Sequence, residues 1–289
     1  MTSLVAMVRG WRELAPASPP WGAWGLRSLA FLYIAIMIVV PSSAVVREGL
    51  GDGLDAFWRD LNRFGAKEAL ILTLWTAMVM TVINVVMGTL TAYVLVRYEF
   101  PGKAVLNAVI DLPLAIPTLV TGVVIVILLG PQGMVGGWFD DQGFEIVFSW
   151  PAIIIALLFV TLPITVRAVQ PVLEVVEVDQ EEAAYTLGAS AWQTFWRVLV
   201  PALLPAIISG ALLTFARALG EFGSIVVVAG NNPGGSLTAP VHIFAEIESG
   251  HPRGASAMSI VLLAIWFTLI IALDWVQTRR AGKRNETIL

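Results

Sequence analysis

Six long apolar stretches constrain the fold of this chain more than any other feature of its sequence. They cover roughly residues 28–46, 69–96, 105–129, 151–169, 202–228 and 256–275. A helix needs about 20 mainly apolar residues to cross a bilayer, and each stretch is close to that length or exceeds it. Only 13% of the 289 residues are Asp, Glu, Lys or Arg, against about 25% in soluble domains. The sequence therefore predicts an all-α integral membrane protein with six transmembrane helices.

The positions of Lys and Arg predict how these helices are oriented. If the N-terminus is cytoplasmic, eleven of the 17 basic residues fall on that side and five on the other, with Arg217 inside a span. Because loops rich in Lys and Arg stay in the cytoplasm, we expect both termini to be cytoplasmic. The predicted regions are an N-terminal tail (1–27), a transmembrane domain (28–275) and a basic C-terminal tail (276–289).

The first span also resembles a cleavable signal peptide, because arginines precede it and its apolar run ends in Ser42-Ser43-Ala44. Its apolar run is longer than the roughly 7–15 residues usual in a signal peptide. We therefore interpret it as a retained transmembrane helix, with cleavage as the alternative.

Composition and missing motifs exclude several classes of site. The chain has no Cys and two His residues, which excludes thiolate metal sites and leaves too few imidazoles for a multi-His centre. It has no basic block typical of nucleic-acid binding. The phosphate-binding string G-x-x-x-x-G-K-[ST] does not occur, so the chain itself is not an ATPase of that type. We expect no metal, no cofactor and no nucleic acid on this chain.

Residues 171–200, between the fourth and fifth spans, predict a helix–turn–helix elbow on the cytoplasmic side. Gly188 favours a helix end, and Ser190 with Gln193 forms a potential capping box that begins a second helix. From composition alone, an amphipathic connector resting on the membrane surface explains this segment equally well. The first helix carries a mostly acidic face formed by Glu174, Glu177, Asp179, Glu181 and Glu182.

One string within the elbow is more specific. Glu182-Ala183-Ala184 is followed, after three intervening residues, by Gly188 and, after nine more intervening residues, by Val198-Leu199-Val200-Pro201. This spacing resembles the EAA signature of the membrane subunits of binding-protein-dependent ABC importers. In that family the elbow is the coupling helix that docks in a groove of the ATP-hydrolysing subunit. The resemblance implies that Glu182, Ala183, Ala184 and Gly188 form an ATPase-coupling surface.

Few candidate path residues lie inside the spans. Arg217 and Glu221 are four residues apart in the fifth span, on one helix face where they can pair; they either lock that helix or line a translocation path. An arginine fork matches the geometry of an oxyanion.

In the third span, Pro113 and Pro117 remove backbone donors and should kink the helix, which would leave Thr118 and Thr121 pore-facing or close-packed.

Further strings extend the resemblance over about residues 70–275. They are similar to strings in the sulfate/thiosulfate permease subunits. Residues 169–173 and 229–233 look more like the CysT subunit than its CysW paralogue. The other matching strings are Val96-Arg97-Tyr98-Glu99-Phe100-Pro101-Gly102, Asp111-Leu112-Pro113 with Pro117, Leu187-Gly188-Ala189-Ser190, and residues 217–224.

This resemblance implies the type I ABC importer permease fold and import of sulfate or thiosulfate across a bacterial inner membrane. The implied partners are ABC ATPase subunits holding ATP and Mg, a second permease subunit (a CysW-like paralogue or a second copy), a periplasmic sulfate-binding protein and membrane lipid. The chain itself would not be an enzyme.

Three alternatives stay open from the sequence. One is a permease for molybdate, tungstate or another oxyanion, and another is an ATP-independent secondary transporter or channel. A third is an integral membrane enzyme using His242 and His251, but their spacing is not that of a zinc protease. We expect both histidines to be solvated residues of an external loop.

Overall fold

A computed structural model of the protein describes residues 20–63, 65–176 and 178–286 and, within these, the side chains of residues 24–275. Most of the predicted N-terminal tail and Glu177 lie outside the described residues. All regular structure in the described part is helical. In chain order the helices are α1 (Pro20–Ile34), α2 (Val40–Leu50), α3 (Leu54–Leu61), α4 (Ala66–Arg97), α5 (Lys103–Ala115), α6 (Thr118–Leu129), α7 (Gly136–Asp140), α8 (Trp150–Val175), α9 (Val178–Thr186), α10 (Ala191–Thr194), α11 (Val200–Leu219), α12 (Gly223–Val228), α13 (Ala239–Glu248) and α14 (Pro252–Glu286).

Two pairs of consecutive helices are continuous, because short π-helical segments join them. Ala35–Val39 joins α1 to α2, and Phe195–Leu199 joins α10 to α11. Five helical runs in the described part are long and apolar enough to cross a membrane. They are Trp24–Leu50, Ala66–Arg97, Trp150–Val175, Ala191–Leu219 and Pro252–Trp275. Together with one bent helix pair they give the six spans that the apolar pattern predicts, so the chain is a multi-pass membrane protein.

The bent pair is the predicted third span. Helices α5 and α6 meet at 110° around Ile116 and Pro117. The prolines explain the break: Pro117 has no N–H to continue the helix, and the residue before a proline is driven towards extended backbone. Ile116 accordingly has φ −82° and ψ 129°. The kink predicted at Pro117 is confirmed, whereas Pro113 lies inside α5 and does not end it.

The fifth span is also interrupted, which the apolar pattern did not predict. Residues 202–228 were expected to form one helix, but α11 ends at Leu219 and α12 begins at Gly223. At this break the Glu221 carboxylate accepts hydrogen bonds from the backbone N–H and the hydroxyl of Ser224, each at 3.0 Å. Glu221 therefore lies beyond the end of α11 and not within a continuous helix.

The centre of the molecule is formed by α4, α8 and α11, which pack against one another. Small and polar residues make these contacts close, as is usual between helices in a bilayer. A Cβ on Gly88 of α4 would lie 2.8 Å from the Thr165 side chain of α8. Nearby, the Asn84 amide donates to the Thr161 hydroxyl at 2.8 Å. Helix α14 packs against α2, α11 and α13 on the outside of this core.

Candidate functional site

The second halves of the two broken spans pack against each other, so α6 lies along α12. Glycines permit this approach: a Cβ on Gly122 would lie 2.7 Å from the Ser224 carbonyl oxygen. Thr118 lies against Gly223 in the same way. The structure thus brings the breaks in the third and fifth spans together. Thr118 contacts Gly223, which lies two residues after Glu221.

Arg217 and Glu221 form an ion pair at this break, with 2.7 Å between Nη1 and Oε2. The two side chains differ in exposure, because Glu221 is 2% exposed and Arg217 is 40% exposed. Within the part of the chain that the structure describes, Glu221 is the only polar partner of Arg217. A guanidinium carries five N–H donors, so most of those on Arg217 are open to a further acceptor.

The two candidate threonines differ in their surroundings. Thr118 is partly exposed at the start of α6. Thr121 is 3% exposed, and its hydroxyl has no hydrogen-bond partner among the described residues. Thr121 also lines an apolar cavity beside Ile116 and Pro117, and the path-lining role of both threonines stays a prediction.

The predicted elbow folds as two short helices with a tight turn between them. Gly188 has φ +86°, and its N–H donates to the Tyr185 carbonyl at 2.9 Å while that of Ala189 donates to the Ala184 carbonyl at 3.0 Å. This is the usual glycine-terminated helix end. The capping box is also formed, because Ser190 and Gln193 each accept a hydrogen bond from the other's backbone N–H. Both local predictions are confirmed.

The four residues predicted to couple to an ATPase lie on the accessible side of this turn. Glu182, Ala183 and Gly188 are exposed, and Ala184 is partly exposed. Leu187 beside them is 88% exposed. The exposure leaves these residues accessible to a partner, and their role in coupling stays a prediction.

One member of the predicted acidic face is not on the surface. Glu181 is 6% exposed, and its Oε1 accepts a hydrogen bond from Nε of Arg97 at 2.7 Å. Arg97 ends α4, and the two residues are 84 positions apart. The helical period placed Glu181 among exposed acids, and the sequence carried no signal that a distant arginine would bury it.

A second missed cluster lies where α5 crosses α8. Arg167 donates to both carboxylate oxygens of Asp111, at 2.8 and 2.5 Å. It also donates to the side chain and carbonyl of Asn107, at 2.9 and 3.0 Å, and to Gln170 at 2.5 Å. All five donors of this guanidinium are therefore engaged.

The two histidines are not equivalent, which corrects the expectation that both are solvated loop residues. His242 lies in α13 and is 7% exposed. Burial lowers its pKa below the ordinary value of a histidine, and the Glu246 carboxylate acts in the opposite direction. His251 is exposed. The described residues contain no group of three His, Asp or Glu side chains that could hold a metal ion.

Comparison with known proteins agrees with this architecture. The family described as binding-protein-dependent transport system inner membrane component matches residues 84–282. The sulfate transport system permease protein CysT of Synechocystis sp. is 40% identical, over 86% of this chain and 87% of that protein. The CysW permease protein of the same organism is 38% identical, over 89% of this chain and 93% of that protein. The chain thus resembles both kinds of permease to nearly the same degree.

A solved structure shows the same fold at low sequence identity. A chain of a bacterial alginate ABC transporter, in complex with an alginate pentasaccharide-bound periplasmic protein, superposes with a TM-score of 0.75. It is 15% identical, and the match covers 90% of this chain and 94% of that one. The relatives are membrane components of transporters and not enzymes. With its bent spans, its exposed elbow and these relatives, the chain belongs to the family of binding-protein-dependent transport system inner membrane components.

Proposed function

We propose that this chain is a membrane subunit of an ATP-driven ABC importer that moves sulfate or thiosulfate across a bacterial inner membrane. Relatives named as sulfate transport permeases support this choice of anion. The single observation that carries it is the open guanidinium of Arg217. The partners are two ABC ATPase subunits, a second permease subunit and a periplasmic sulfate-binding protein.

The position of Arg217 supports a role in the path. A charged side chain in a transmembrane segment costs about 2.5–3.5 kcal/mol at the helix centre and therefore faces a protein interior or a water-filled cavity. The Arg217 side chain is 40% exposed in this single chain, so it can face a second subunit or a water-filled path in the assembled transporter. The free N–H donors offer the fork that a tetrahedral oxyanion accepts.

Glu221 makes such a site suitable for passage. A transport site has to bind well enough for the ion to enter and weakly enough for it to leave. The carboxylate neutralises Arg217 and competes with the anion for its donors, since it lies 2.7 Å from Nη1. Glu221 is held in place by Ser224, so this competition is a fixed property of the site.

The elbow transmits the energy of ATP binding and hydrolysis to the membrane helices. ATP and Mg are bound by the partner ATPases, which contact the surface formed by Glu182, Ala183, Ala184 and Gly188. Closure of the ATPase dimer draws the elbows together and opens the path outwards, and hydrolysis resets it. This chain makes and breaks no covalent bond.

The test is reconstitution of the complete complex in proteoliposomes with its ATPase, second permease subunit and binding protein. We expect radiolabelled sulfate to accumulate with ATP and to remain outside with a non-hydrolysable analogue. Equal uptake without ATP hydrolysis would make the chain a secondary transporter. Uptake of molybdate in preference to sulfate would contradict the proposed anion.

A further inference from the structure

The end of α4 is joined to the elbow by one arginine that is largely, but not fully, buried. Nε of Arg97 donates to Oε1 of Glu181 at 2.7 Å, and Glu181 lies in the first turns of α9. The two side chains are only 13% and 7% exposed. Because a buried charge is costly unless it is paired, this contact has little freedom to separate while the chain stays folded.

The same guanidinium also holds the beginning of the elbow. Nη2 of Arg97 donates to the Val176 carbonyl at 3.0 Å. Val176 caps the C-terminus of α8, and its carbonyl is one of those left without a partner at a helix end. Arg97 therefore joins the end of the second span, the end of the fourth span and the first helix of the elbow.

A neighbouring ion pair lacks this arrangement. Lys103 and Glu99 are 2.6 Å apart in the α4–α5 connection, but their side chains are 28% and 88% exposed. Exposed pairs of this kind contribute little to stability, because water competes for both charges. The Glu99–Lys103 pair therefore provides a matched control at the same end of the bundle.

The helix that Arg97 ends is suited to carry a movement. Helix α4 has 32 residues, or about 48 Å at ~1.5 Å per residue. It packs along α8 and α11 and reaches α13 at the far end of the bundle. A displacement of α9 held by Arg97 would therefore move α4 as one body.

We propose that Arg97 is a positioning residue that transmits movement of the elbow to the second span through Glu181 and Val176. This inference rests on the proposed function, because it requires an ATPase acting on the elbow. It assigns to Arg97 and Glu181 a role in coupling that is separate from the surface contacted by the ATPase.

The first test measures sulfate uptake per ATP hydrolysed in the reconstituted complex. We expect Arg97→Ala and Glu181→Gln to keep hydrolysing ATP while uptake per ATP falls at least about fivefold, the lower end of typical coupling effects. Arg97→Lys keeps the charge but cannot hold two acceptors in a fork, so it should give an intermediate ratio at normal yield. Glu99→Gln should match the wild type. A wild-type ratio in the Arg97 and Glu181 variants would overturn the proposal.

The second test needs no transport. The chain has no Cys, so spin labels can be attached to cysteines introduced at Glu99 and Leu187, both 88% exposed. We expect one narrow distance distribution with Arg97 present and a broad one in Arg97→Ala. Distance distributions of equal width in the two proteins would overturn the proposed role of Arg97. A wild-type complex that moves no sulfate would instead contradict the proposed function and leave this distance measurement to decide about Arg97.

Discussion

Arg167 and Arg217 have similar exposure, 30% and 40%, but very different surroundings. Arg167, between α5 and α8, has acceptors for all five of its N–H donors. Arg217, at the break after α11, has Glu221 as its one polar partner in the described part of the chain. A saturated guanidinium holds two helices in one arrangement. An unsaturated one can bind a further group, so the partners of an arginine distinguish the two roles better than its exposure does.

The largest effect on stability is expected at Arg167. Arg167→Ala removes four hydrogen bonds between α5 and α8 and one within α8, and Asp111 loses its counter-ion. Because the Asp111 side chain is 46% exposed and can recover water, we expect a loss of about 2–4 kcal/mol, below that of a fully buried pair. Thermal unfolding of the purified chain measures this loss. Unchanged stability would show that an arginine whose N–H donors all have acceptors need not stabilise the fold.

A smaller effect, and on binding, is expected for Glu221→Gln. The amide can still accept from Ser224, but it no longer neutralises Arg217 or repels an anion. We expect equilibrium binding of radiolabelled sulfate to the purified complex, without the binding protein, to tighten about three- to tenfold, or up to ~1.4 kcal/mol, while ATP-driven uptake slows. Unchanged binding with lowered thermal stability would instead assign Glu221 to locking the helices.

The smallest effect is expected for Thr121→Val. The substitution removes a buried hydroxyl without a partner and keeps the shape of the side chain, and such exchanges are nearly neutral or stabilising. Thermal stability should be unchanged or slightly higher, and sulfate uptake should be that of the wild type. A clear loss of uptake would place the Thr121 hydroxyl on the path after all.

Features that depend on local sequence were predictable, and those that depend on distant pairs were not. Apolar length predicted the spans, the prolines predicted the bend before Thr118, and Gly188 with Ser190 predicted the elbow. The break at Glu221 was missed because a local bond to Ser224 ends the helix within an apolar run. The partners of Arg97 and Arg167 were missed because they lie 84 and 56 residues away. His242 was missed because its burial depends on how α13 packs.

The most direct test of the account compares Arg217→Ala with wild type in two measurements on the same preparation. One is thermal unfolding, and the other is ATP-driven sulfate uptake by the reconstituted complex. If the open guanidinium serves the anion, uptake should fall about 10- to 100-fold, as expected for loss of charged hydrogen bonds of roughly 1.5–3 kcal/mol. The unfolding temperature should fall as well, because the buried Glu221 carboxylate loses its counter-ion, so uptake is measured at a temperature at which the variant is still folded. Wild-type uptake, or a loss fully explained by a lower unfolding temperature, would contradict the account and make Arg217 a structural arginine like Arg167.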